Sequence, residues 1–137
     1  MPLTKRDIPT SHAEAAARLN GRSQRRIGAT GLLFESGAFP GSYTLMLHRT
    51  NIVTFHPDGS ITLNTGGWDT VTTRSWINAA LKGTGFRVFR YKHRLCIDRW
   101  PRFAGDHGPA VRTWNGRILT INPHPGIAWI SPEPEAA

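Results

Sequence analysis

The residues best suited to chemistry fall in one run: Gly66-Gly67-Trp68-Asp69-Thr70, followed by Thr72, Thr73 and Arg74. Paired glycines let backbone approach a ligand closely. A helix that begins near Thr73 would aim its first amides and the positive end of its dipole at the same point, a geometry for holding an anion. Arg74 strengthens this reading, because a cation in a first helical turn is unfavourable by roughly a few tenths of a kcal/mol unless an anion shares the site. Gly66, Gly67, Trp68, Thr70, Thr72, Thr73 and Arg74 therefore form a candidate phosphate site, with Thr72 or Thr73 as the helix cap. The plainer reading is a glycine turn, an ordinary cap and an arginine in solvent. No Gly-Lys-Ser/Thr follows at the spacing of a Walker loop, which argues against nucleoside-triphosphate hydrolysis.

Charge points to the same kind of ligand. Of 17 basic residues 14 are arginine, against 9 acids, for a formal net charge of +8. Arginine suits planar, bidentate phosphate contacts, so a nucleic acid or nucleotide is the expected partner class. One cluster, Arg18, Arg22, Arg25 and Arg26 with Lys5 and Arg6, lies near the N-terminus and reads as a basic arm for a phosphate backbone or as a solvated helix face. A second, Arg87, Arg90, Lys92 and Arg94, is interleaved with Phe89 and Tyr91. It is similar to single-strand binding surfaces in which bases stack on rings, or is an ordinary exposed strand face.

His48 and His56 can converge across neighbouring strands, near Asp58 or Asp69, as a general acid–base pair for phosphodiester cleavage. Nothing in the spacing requires it, and a non-catalytic protein is the leading expectation. The histidines form no HxH or HExxH pair, so neither a metal nor a cofactor is expected. Cys96, the only cysteine, reads as a core residue, excludes an internal disulfide and fits a reducing cytoplasm.

The elements that must position these groups are short, as 14 glycines and 10 prolines imply. Residues 1–11 read as loose, and Ser11 caps a helix from His12 to about Asn20. Residues 42–50 alternate as a strand. Val53 and Phe55, then Ile61 and Leu63, make a hairpin around Pro57-Asp58-Gly59, one face apolar and the other carrying Thr54, His56, Thr62 and Asn64. That polar face is either a wet sheet surface or a hydrogen-bonding surface for bases or ribose. A helix over Thr73–Leu81 buries Trp76, Ile77, Ala80 and Leu81. Residues 86–100 form two more strands, and one further strand lies at 117–122. The expected fold is α+β: a mainly antiparallel, twisted sheet of about five strands, a central helix packed on one face, and a short N-terminal helix. Residues 1–27 are a basic N-terminal arm or helix, 28–130 a single α+β domain and 131–137 a flexible acidic tail. The order helix, three strands, helix is similar to the double-stranded-RNA-binding domain, without its basic helix start. No run approaches the roughly 20 apolar residues of a membrane span.

The segment VTFHPDGSITLNTGGWDTVTTRSWIN resembles a stretch in small uncharacterised proteins of tailed bacteriophages. Val53, Thr54 and Phe55 match a strand ending, Asp58-Gly59 a turn, and Thr62 to Trp68 a strand running into a Gly-Gly-Trp loop. Thr70, Thr72 and Thr73 then lead to Arg74, Ile77 and Asn78 of a helix. The resemblance implies a phage accessory protein acting in the cytoplasm of the infected host. Its expected role is nucleic-acid binding. The alternative is inhibition of a bacterial defence system, by binding a host protein or capturing a nucleotide signal.

Overall fold

The computed structural model describes residues 3–91, 93–99, 112–123 and 129–132. A 3₁₀ turn (Lys5–Asp7) and α1 (His12–Leu19) lead into five strands: β1 (Gln24–Ile27), β2 (Gly31–Glu35), β3 (Tyr43–Leu47), β4 (Thr50–Phe55) and β5 (Ile61–Leu63). Then follow α2 (Val71–Leu81), β6 (Phe86–Tyr91), β7 (Arg94–Arg99), β8 (Arg112–Thr113), β9 (Leu119–Asn122) and β10 (Trp129–Pro132). The main sheet has seven antiparallel strands in the order β1-β2-β3-β4-β5-β9-β10, and β6-β7-β8 form a second, three-stranded sheet. The α+β class holds, with more strands than the five expected. Five strands, not three, separate the helices, so the likeness to the double-stranded-RNA-binding domain ends there.

Period-two alternation explains the main sheet. Leu33, Leu45, Val53, Leu63 and Leu119 stand side by side in register and are all buried. Both helices cover this apolar face. Ser11 caps α1 by accepting from the Glu14 amide at 3.1 Å, and Ala15 and Leu19 face the core. In α2 the Trp76 ring lies on Gly31, where any Cβ would come within 2.4 Å of it, so the glycine is what lets helix and sheet approach. The opposite face carries Thr44, Thr54, Thr62 and Thr120 in one row across four strands, joined by hydroxyl contacts of 3.1 Å (Thr44–Thr54) and 3.0 Å (Thr62–Thr120).

The second sheet packs on α2 through the apolar core and is hydrogen-bonded to it by Asn78. Asn78 donates to the Val88 carbonyl (2.8 Å) and accepts from the Val88 amide (2.7 Å), so it occupies the outward edge of β6 as a neighbouring strand would.

The N-terminal segment is not a free arm. Ile8, Ala15, Leu19 and Ile27 are core residues, β1 pairs with β2, and Leu3 bridges Ile27. The apolar residues spaced through an otherwise basic stretch dock it. At the other end, Ser131 and Pro132, expected in a tail, belong to β10.

Candidate functional site

The sequence places the Gly-Gly-Trp loop directly after β5, and its own atoms satisfy most of its polar groups. The Gly66 amide donates to Asn64 Oδ1 at 2.8 Å, the Gly67 amide to Thr65 Oγ1 at 3.3 Å and the Trp68 amide to the Thr65 carbonyl at 3.0 Å. Gly66 has a φ of 64°, and a Cβ there would sit 2.6 Å from Thr50 Cγ2. The close approach it permits is to β4. The buried Thr65 anchors the loop by donating to the Gly116 carbonyl at 2.9 Å. The helix cap is Thr70, which accepts from the Thr73 amide at 3.1 Å, and not Thr72 or Thr73; the helix accordingly starts at Val71. Thr73 is buried.

Arg74 has its counter-charge within the chain. Its guanidinium is ion-paired with the Asp69 carboxylate, whose other oxygen lies 3.5 Å from Arg90. The unfavourable cation at the helix start is thus offset by Asp69, and it ties the loop to β6.

What remains of the loop faces a cavity of about 570 Å³ between the start of α2 and the β3–β4 turn. Trp68, Thr70, Thr72 and Thr73 line one side, and His48, Arg49, Thr50 and Ile52 the other. Trp68 is 66 % exposed, so its ring is a free platform at the mouth. Thr70 and Thr72 are exposed as well. His48 and Arg49 form a two-residue reversal in which His48 takes a φ of 55°, a region that residues with a Cβ seldom adopt, and its amide donates to the Thr30 carbonyl at 2.8 Å. Arg49 is exposed and makes no hydrogen bond or ion pair among the described residues. Its position in a turn, with no pattern around it, hides it from a reading based on clusters and periodicity. The signal that could have found it is the tight spacing of two strands around His48-Arg49.

His48 and His56 do not meet. They lie at opposite ends of β4, about 20 Å apart by strand rise, so the acid–base pair is not assembled. His56 is held between Ser42 Oγ (2.9 Å from Nδ1) and Thr62 Oγ1 (2.8 Å from Nε2). Burial pushes its pKa below the usual 6.5, reinforced by His12 and opposed by Asp58. The Asp58 carboxyl lies below the usual carboxylate range because the Ser60 hydroxyl and amide donate to it. Of the polar face proposed for base or ribose contact, Thr54 is buried against Thr44, Thr62 lies between His56 and Thr120, and Asn64 Oδ1 accepts from Gly66. Their hydrogen bonds are internal.

The arginine clusters divide in the same way. Arg18 donates to the Asp7 carbonyl and pairs with Glu14, Arg25 donates to the Arg18 carbonyl, and Arg26 to that of Ala29. These bonds hold α1 to β1 and close the turn into β2. Arg22 is exposed. Arg87 and Arg94 are exposed on β6 and β7, on the strand face that also bears Phe89 and Tyr91, whereas Arg90 is drawn to Asp69. Lys92 lies outside the described residues. Among the described residues no group of three or more His, Cys, Asp or Glu side chains could hold a metal ion, and no helix is long and apolar enough to cross a membrane.

No curated protein and no solved structure matches the chain. The profile of the family described as Kyanoviridae Gp96 protein matches residues 8–117, a span that contains both walls of the cavity and the Gly-Gly-Trp loop. With most of its length matched from α1 through the segment after β8, the chain belongs to this phage protein family.

Proposed function

We propose that this phage protein binds a nucleotide unit, free or within a nucleic acid strand, in the cavity between the β3–β4 turn and the start of α2. The observation that carries the reading is the meeting of three kinds of group around one hollow. An exposed indole (Trp68) can stack a base, the hydroxyl of the exposed Thr72 can bond sugar or phosphate, and the exposed guanidinium of Arg49, beside His48, can meet the charge. The volume is that of a small-molecule site. The reading keeps the loop at the centre of the function but replaces Arg74 with Arg49 as the phosphate-binding cation, since Arg74 is neutralised by Asp69. A nucleic-acid-binding role and the capture of a nucleotide signal share this chemistry.

Nuclease-treated, salt-washed protein titrated with nucleoside monophosphates and short single strands tests it. Binding should quench Trp68 fluorescence, a signal that Trp68→Phe removes. Arg49→Gln should weaken binding about tenfold and, for a single strand, flatten the salt dependence by roughly 0.7 in log–log slope. A fully active Arg49→Gln protein, or binding insensitive to salt, would exclude this site.

A further inference from the structure

The His48–Arg49 reversal has a second side. A cleft of about 380 Å³ opens there, and both residues border it as well as the main cavity. Its floor follows from strand register: Arg26 is opposite Leu32, and Leu32 opposite Met46, so a cation and two half-buried apolar side chains stand in one row across β1, β2 and β3. Arg26 donates to the Ala29 carbonyl at 2.8 Å, which fixes its guanidinium beside this cleft while other N–H groups remain available. Among the described residues no acidic side chain lines either hollow.

We propose that the protein takes two consecutive units of a single-stranded oligonucleotide across this saddle. One base lies on Trp68, the phosphate between the units meets Arg49, and the second unit lies over Leu32 and Met46 beside Arg26. The proposal rests on the reading of the main cavity as a nucleotide site and extends it from one unit to two. Two hollows sharing a wall that carries a cation fit a ligand with a repeating unit and a charge at each junction. A mononucleotide would leave the second cleft unused. The half-buried apolar floor suits a stacked or edge-on base, and Arg26 suits the next phosphate.

The experiment uses the full chain and 5′-phosphorylated oligothymidylates of one, two and four units, followed by calorimetry and tryptophan fluorescence. The two-unit ligand should bind about tenfold or more tighter than the one-unit ligand, as a second seated base and phosphate imply. Arg26→Gln should remove that gain and leave the one-unit affinity unchanged. Because Arg26 also closes a turn, Thr30→Glu, at an exposed position in the same cleft, serves as a second variant and should remove the gain by placing a carboxylate there. Equal affinity for one and two units, or a gain that survives both substitutions, would overturn the two-unit site while the single pocket stands. Failure of every length to bind would overturn the pocket reading and this proposal together.

Discussion

His56 shows how a polar side chain on a sheet face can serve the fold. Both ring nitrogens are bonded to hydroxyls, and burial lowers its pKa in the folded chain. The unfolded chain takes up the proton near 6.5, so the stability linked to this residue is complete above that pH and is lost as the pH falls toward the folded value. The melting temperature should therefore fall as the pH is lowered from about 7.5 to about 5, with a smaller fall in His56→Asn, where no titrating group remains at this position. Identical pH profiles would show that His56 has no such role. The same lesson applies to Arg74. Its residue type and position call for an anion, and the carboxylate beside it is that of Asp69, five residues away. Sequence spacing records that two groups can meet and does not say which partner wins.

At the level of elements, the hairpin of β4 and β5 was legible because Val53, Phe55, Ile61 and Leu63 alternate with polar residues on both sides of a Pro-Asp-Gly turn. α2 is legible from its apolar stripe, although it starts at Val71, two residues before Thr73, and its cap is Thr70. β1 was not legible: its sequence is QRRI, with three polar residues in four, and pairing with β2 is what makes it a strand. The joint between α2 and the second sheet was also hidden, because Asn78 is one amide in a helix until Val88 is brought beside it. Asn78→Ala should leave the Val88 amide and carbonyl without partners and cost about 2–4 kcal/mol in denaturant unfolding. A loss below about 0.5 kcal/mol would mean that water replaces both bonds without penalty.

For the whole molecule, the family match ends at residue 117, before β9 and β10, yet these strands cover the edge of β5 and add Leu119 and Ile121 to the core. A chain ending at Arg117 should lose its cooperative melting transition and elute as aggregate in size-exclusion chromatography, because β5 would present unpaired backbone and an apolar face. A folded monomer of that length would show that the final strands are dispensable. Local patterning could not reveal the pairing of β5 with β9, since Leu63 and Leu119 meet across about 55 residues of intervening chain. That separation also has a kinetic meaning. The β4–β5 hairpin can zip from its own turn, whereas β9 is captured only after a long excursion closes. Prior formation of α2 with its small sheet shortens that search, so the rate of refolding should be set by the arrival of β9.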